Sequence, residues 1–296
     1  MNKTLKNILL SPFNLLYKIN PVFEQKLMFR LKCKEKLDLN NPITFNQKLN
    51  WLKINDRNKL IPICADKFTA RKYISDCGFE EYLPKLIWQG DDPENLPFDK
   101  LPEKCVIKVT SGSGNNIFYD INENPNKQDI IAKLKTWLKE KYLLAYGEWH
   151  YSLIKPTVIV EEFLSDGEHK VPYDFKFFCF NGVSEENRVG CIAIDSGRYI
   201  DHCRNIYDKD FNFLPEVSFG FKRDKAAVIP KPICYDEMCK VATVLSKPFY
   251  HARIDFYIIR DRFYIGEITF YNGAAYDMVT PRNYNEMMGS WINLSM

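Results

Sequence analysis

Apolar residues recur along this chain with two rhythms, and the switches between them mark out its elements. Phe45, Leu49, Leu52 and Ile54 fall on one helical face after the Asn41-Pro42 turn, and Thr44 stands where a cap belongs, so a buried helix is expected there. Residues 1–60 as a whole read as mostly helical and as a brace for the rest of the chain. A second helix is expected over 66–77, stopping at Gly78, while 83–101, rich in Pro, Asp and Gly, reads as strand and loop. A short apolar strand at 105–109, a polar turn at 110–116 and a strand at 117–119 predict a hairpin. Ile131, Leu134, Leu138 and Tyr142 repeat at helical spacing across about 128–142, and 157–163 is a further strand. Strands at 175–180 and 188–194 flank Asn181-Gly182, and strands at 254–259 and 263–268 flank Arg260-Asp261, with a helix near 236–246 before them. Hairpins rather than alternating βαβ units point to antiparallel α+β sheets and away from a dinucleotide-binding domain.

Two segments carry candidate chemistry. In Val106-Ile-Lys108-Val-Thr-Ser111-Gly112-Ser113-Gly114-Asn115-Asn116, the glycines let backbone N–H groups approach phosphate oxygens, and Lys108 adds a fixed positive charge. An ordinary hairpin loop would look similar, and the turn matches neither the G-x-x-x-x-G-K-[ST] loop nor the dinucleotide fingerprint. Asp255 and Glu267 lie on adjacent predicted strands, where their side chains meet on one face if the register permits. Hard carboxylate oxygens there suit magnesium, whereas a structural ion pair with Arg253 is the plainer reading.

Composition narrows the partners. With 46% hydrophobic residues in 296, the chain can bury a large core. Its 41 basic and 38 acidic residues leave a net charge of +3 and no long basic block, which argues against nucleic acid and for a small or locally acidic ligand. Nine cysteines, an odd number with no C-x-x-C, indicate reduced thiols in a cytoplasmic protein, and only His202 beside Cys203 hints at a zinc ligand pair. The start of the chain, with Lys3, Lys6, Ile8-Leu-Leu10, Phe13, Leu15 and Leu16, is interrupted by Pro12 and Asn14 well short of the ~20 apolar residues a membrane span needs. It lacks a small-residue cleavage site. It reads as a helix packed on the core, with a peripheral foothold on the inner face of the membrane as the second option.

In order, Asp66-Lys67, Ile107-Lys108 with its glycine turn, Val160-Glu161-Glu162-Phe163, Arg253-Ile-Asp255 and Glu267 resemble the ATP-grasp superfamily. Nearly the whole chain resembles its teichuronopeptide-biosynthesis (TupA-like) branch, found among capsule and surface-polysaccharide genes. The pieces that carry the likeness include Asn41-Pro42-Ile-Thr44-Phe-Asn-Gln-Lys48-Leu-Asn-Trp51, Ala65-Asp-Lys67 with Arg71 and Tyr73, Trp149-His150-Tyr151, Asp174-Phe-Lys176-Phe-Phe-Cys-Phe-Asn-Gly182 and Gly266-Glu-Ile-Thr269-Phe270.

The resemblance implies an ATP-grasp fold: two α+β lobes, about 61–160 and 161–296, enclosing ATP behind a helical segment at 1–60. By similarity, Lys67 and Lys108 contact the phosphates, Ser111, Gly112, Ser113, Gly114 and Asn115 fold over them, Glu161, Glu162 and Phe163 form the hinge at adenine, and Glu168 binds ribose. Asp255 and Glu267 would hold magnesium. The third ligand position, usually asparagine, is Thr269, with Asn272 nearby, so one metal or two is left open. Arg253 would lie at the reacting centre and Lys176 would face the transferred phosphate. The implied activity is ATP-dependent ligation of a carboxylate to an amine through an acyl phosphate, on a uronic acid of a surface glycan. A phosphotransferase on the same site and a glycosyltransferase-like or glycan-binding protein are the alternatives. His251 is read as structural or catalytic, Trp149-His150-Tyr151 as core or sugar platform, and Asp208-Lys-Asp210 as a turn.

Overall fold

The computed structural model describes residues 3–112, 114–140, 142–165, 167, 172–197, 201–224 and 228–295. Three helices open the chain: α1 (Lys3–Ile19), α2 (Pro21–Cys33) and α3 (Phe45–Asn55). Between the first two, the Asn20 side chain accepts from the Phe23 N–H at 2.9 Å, and Pro21 fills a helix position whose N–H would have no partner. Thr44 caps α3 as expected from sequence: its hydroxyl accepts from the Gln47 N–H at 3.2 Å, and the Gln47 side chain reaches back to the Thr44 N–H.

The helix expected over 66–77 forms as α5 (Thr69–Asp76), and a further short helix, α4 (Leu60–Ala65), precedes it. Asp66 makes the break: its backbone is extended, and its carboxylate accepts from the N–H groups of Phe68 and Thr69 at 2.9 and 2.8 Å. The corner leaves Lys67 outside both helices, with its N–H bonded to the Thr110 carbonyl at 3.1 Å.

The first sheet contains β1 (Leu86–Gly90), β2 (Lys104–Val109), β3 (Asn116–Asp120) and, after α6 (Lys127–Leu138), β4 (Val158–Glu162). Its order is β1-β4-β2-β3, antiparallel throughout. Ile107, Val109, Val158 and Val160 pack beneath Ile130, Ile131 and Leu134 of α6, which accounts for the helical repeat seen in the sequence.

The second sheet is built from β5 (Asp174–Phe180), β6 (Val189–Ser196), β7 (Cys203–Asp208), β9 (His251–Ile259) and β10 (Arg262–Thr269), with β8 (Ser218–Phe219) and α7 (Tyr235–Ser246) between. The order is β10-β9-β5-β6-β7, again antiparallel, and both expected hairpins form. Finally β11 (Val279–Thr280) pairs with β8, and α8 (Arg282–Ser290) comes after it. Every β5 residue is buried. Phe177 meets Tyr235 of α7 on one face and Phe178 meets Phe45 of α3 on the other, which is why the strand's second half, Phe177-Phe-Cys-Phe180, is apolar on both faces. The second core also takes in Ile61, Cys64, Ala70 and Ile74, so α4 and α5 sit on this sheet and carry Lys67 to the edge of the first. The expected antiparallel α+β class is the observed one.

Candidate functional site

On the first-sheet side, β2 ends beside a turn in which Gly112 and Gly114 take φ of 74° and 79°, a backbone region that favours glycine. Lys108, near the end of β2, places its ammonium 2.5 Å from Oε2 of Glu161 on the neighbouring β4. Arg71 from α5 reaches the other oxygen of that carboxylate at 2.8 Å and also donates to the Pro84 carbonyl at 2.7 Å. Lys67 donates to the Gly112 carbonyl at 2.6 Å, pinning the glycine turn. Burial lowers the Lys67 pKa, an effect partly offset by Glu267 of the second sheet. Three cations thus converge around one carboxylate, leaving an excess of positive charge.

The other first-sheet residues singled out in sequence are placed as follows. Ser111 is half-buried in the turn, and the Asn115 amide donates to Glu140 at 3.4 Å. The Glu162 carboxylate accepts from the Lys85 N–H at 2.7 Å, and Phe163 meets Phe118 edge-on at 6.1 Å. Ser113 and Glu168 lie outside the described residues.

On the second sheet, Glu267 stands directly opposite Asp255, and Thr269 opposite Arg253. A bulge between Ile265 and Glu267 sets this register. It falls at Gly266, where a Cβ would come within 2.7 Å of the Tyr257 ring. The Arg253 guanidinium binds both Asp255 oxygens at 2.6 and 2.7 Å, Glu267 at 2.9 Å and the Thr269 hydroxyl at 3.1 Å. That hydroxyl donates to Glu267 at 3.2 Å. The ion-pair reading is therefore observed, and the carboxylate pair is observed with it.

Lys176 lies behind this pair, its ammonium 2.5 Å from Asp174, 2.7 Å from Asp255 and 3.8 Å from Asp195. Burial pushes the Asp255 carboxyl up, against the pull of Arg253 and Lys176. The donor set fits a magnesium ion: two hard carboxylates on facing strands, with Glu267 the more open of the two. Among the described residues no cluster of three or more His, Cys, Asp or Glu forms a protein cage, so phosphate oxygens and water would complete the shell.

The charged row extends beyond the residues singled out in sequence. Asp195 on β6 is held by Arg204 of β7 at 2.5 and 2.8 Å, and His202 lies 3.2 Å from it. Burial opposes ionisation of Asp195, but Arg204 and Lys176 outweigh it and hold the carboxyl well below its usual range. The available signal was strand alternation: Asp174 and Lys176 share one face of β5, and Asp195 and Arg204 face each other across the next hairpin.

Also missed was the polar face of α3. Asn46 donates to the carbonyls of Ala275 and Asp277 at 3.2 and 2.9 Å, and Asn50 donates to Ala275 at 3.2 Å. Lys53 donates to Tyr146 and Ala274 at 2.9 and 2.8 Å. These bonds hold the segment that comes after Glu267 and Thr269.

The weaker candidates resolve toward packing. His251 is buried among Phe45, Phe178 and Phe180, its Nδ1 2.8 Å from the Cys179 carbonyl, and burial lowers its pKa to about 3. His150 is buried likewise, between Tyr151 and Tyr271. The Asp208 carboxylate accepts from the N–H groups of Asp210 and Asn212 at 2.9 and 2.8 Å, which makes Asp208-Lys-Asp210 a turn.

The two halves meet. One narrow cavity is lined jointly by Lys67, Arg71 and Glu161 from the first side and by Gly266 and Glu267 from the second.

Comparison with solved structures returns D-alanine-D-alanine ligase from Bacillus anthracis complexed with ATP, at 18% identity over 71% of this chain and 57% of that one, TM-score 0.43. The same enzyme from Helicobacter pylori matches at 15% identity over 84% and 68%, TM-score 0.45. N5-carboxyaminoimidazole synthetase from Staphylococcus aureus complexed with ADP matches at 10% over 78% and 52%, TM-score 0.42. The chain thus spans 57% of the Bacillus anthracis enzyme's length. No curated protein matches it. The family model described as TupA-like ATPgrasp matches residues 47–293, which takes in both sheets and every charged residue of the cleft, and the chain belongs to that family.

Proposed function

We propose that the chain is an ATP-dependent, ADP-forming carboxylate-amine ligase, acting on a uronate carboxylate of a capsular or surface polysaccharide or its precursor. The observation that carries this reading is the cavity in which Lys67 and Arg71 face Glu267, with Lys108 bound to the same Glu161. A cation-rich wall opposite paired carboxylates suits a triphosphate and its divalent ion, and membership of an ATP-grasp family supports ATP as the nucleotide.

In this reading Lys67 and Lys108 neutralise phosphate oxygens, and the glycine turn bonded to Lys67 closes over them. Asp255 and Glu267 would hold one magnesium, which lowers the charge on the phosphates. Lys176 and Arg253 keep the buried Asp255 ionised and in place. The substrate carboxylate attacks the γ-phosphorus, ADP leaves, and the amine displaces phosphate from the acyl carbon. Arg253, always protonated, is set to stabilise the oxyanion formed at that step. The test is incubation with ATP, magnesium, glucuronate and hydroxylamine. ADP together with a hydroxamate is the expected outcome. A stable phosphorylated product would assign the same site to a phosphotransferase, and failure with a range of uronates would end the ligase reading.

The place of work is proposed to be the inner membrane face. Leu15, Ile19 and Phe23 at the α1–α2 corner are 61%, 73% and 55% exposed, and Lys18, Lys26 and Arg30 lie close to them in the chain. No described helix is long and apolar enough to cross a membrane.

A further inference from the structure

The segment after β10 is bent out of ordinary backbone. Gly273, Ala274 and Ala275 take φ of 57°, 53° and 65° in succession. The left-handed region costs a residue with a Cβ about 1 kcal/mol or more, so two alanines there are an expense that needs a reason. The Asn46, Asn50 and Lys53 bonds to this segment, together with the Val279 N–H donating to Asn46 at 3.3 Å, hold it in that shape.

The loop so held presents Asp277. A Cβ on Gly273 would come within 2.2 Å of the Asp277 carboxylate, and one on Gly220 within 3.5 Å of its Cβ, so the side chain lies between two bare backbones. Among the described residues no hydrogen bond or ion pair reaches this half-buried carboxylate; burial raises its pKa, a shift that Arg204 and Arg253 oppose without cancelling it. The neighbouring carboxylates differ: Glu161 is held by Lys108, Asp174 by Lys176, Asp195 by Arg204, and Asp255 and Glu267 by Arg253. The Asp277 oxygens stay open to solvent and hold no donor, so a bound cation would gain a charge-assisted hydrogen bond there.

We propose that Asp277 is the subsite for the acceptor, binding its primary ammonium beside Arg253. This rests on the ligase reading. ATP, the acyl phosphate and the leaving phosphate are all anionic and are repelled by Asp277, so of the reactants only the amine has the complementary charge. The ammonium gives one proton to Asp277, and the freed lone pair forms the C–N bond. The C–O bond to phosphate breaks with its electron pair on phosphate, and the second nitrogen proton leaves with it.

The test uses the full chain with ATP, magnesium and glucuronate, and compares ethanolamine, a cation near neutral pH, with hydroxylamine, which is neutral there. In Asp277→Asn the ratio of kcat/KM for ethanolamine to that for hydroxylamine should fall by roughly tenfold or more, the worth of a hydrogen bond to a charged group. Asp277→Glu should recover part of it, and thermal unfolding checks the fold of both. An unchanged ratio in Asp277→Asn overturns the assignment while leaving the ligase reading intact. Absence of hydroxamate from the wild type fails the ligase reading instead, and ethanolamine binding followed by calorimetry then decides on Asp277 alone. Binding lost in Asp277→Asn supports the subsite; equal binding by both proteins, or none by the wild type, overturns it.

Discussion

Glu161 shows how single side chains set the behaviour of the cleft. It sits on β4, where the family resemblance puts it near adenine, yet its two oxygens are taken by Lys108 and Arg71. The carboxylate therefore fixes the direction of both cations before any nucleotide arrives. Lys108→Ala should cut ATP turnover on the order of 10²-fold, the usual loss of one preorganised donor, with ADP release as the measurement. Folding should survive, because Arg71 still pairs with Glu161. A wild-type rate would remove Lys108 from the site. Glu267→Gln keeps the hydrogen bonds from Arg253 and Thr269 but loses charge, so the magnesium needed for half-maximal nucleotide binding should rise by roughly tenfold, the lower end of what a lost supporting group costs a metal site. An unchanged magnesium requirement would contradict a metal role for Glu267.

Among the elements, helix α3 is the most instructive. Its cap and apolar stripe were legible because both depend on residues a few positions apart. Its polar face, Asn46, Asn50 and Lys53, was not legible: such spacing normally faces water, and the carbonyls that bury it lie more than 200 residues away for Asn46 and Asn50. The β9–β10 hairpin was legible as an element, but the Gly266 bulge that sets Glu267 across from Asp255 was not, since a bulge is a matter of pairing. Asn46→Ala would leave the Asp277 carbonyl and the Val279 N–H short of a partner, while Ala275 keeps Asn50, and should cost about 2 kcal/mol in chemical denaturation. The same region predicts a pH dependence. Burial pushes the Glu24 and Glu148 carboxyls up to about 7 from the ordinary 4.5. The folded chain therefore holds protons that the unfolded chain releases, so this stabilisation is full below pH 4.5 and is lost as pH rises through about 7. Burial lowers the Lys53 ammonium to about 7, so it acts in the opposite sense and only above that pH. Thermal stability should decline between those limits, and Glu148→Gln should flatten the decline; an identical pH profile in the variant would show that Glu148 is ionised throughout.

Across the molecule, each wall of the cleft had its own signal in the sequence, and long-range packing joins them. Lys67 and Glu267 are 200 positions apart in the chain, yet line one cavity because α4 and α5 share the core of the second sheet while the Lys67 N–H is bonded to the first. No local pattern encodes that corner except Asp66, whose capping of α5 turns the chain. The remaining large-scale feature is α1, which has no acidic residue. Leu10 packs inward with Met28 and Phe29, whereas Leu15 and Ile19 face outward and continue into the exposed Phe23. Apolar side chains at a helix corner with basic residues nearby suit an interface with anionic lipid, where burial and charge attraction add. The chain should float with vesicles containing phosphatidylglycerol and stay behind with pure phosphatidylcholine, and added salt should weaken the first association. Leu15→Ser with Ile19→Ser should abolish flotation while leaving ADP release intact, because neither residue touches the cleft. If these substitutions instead change the oligomeric state and leave flotation as it was, the outer face of α1 is a contact between copies of the chain and not a membrane foothold.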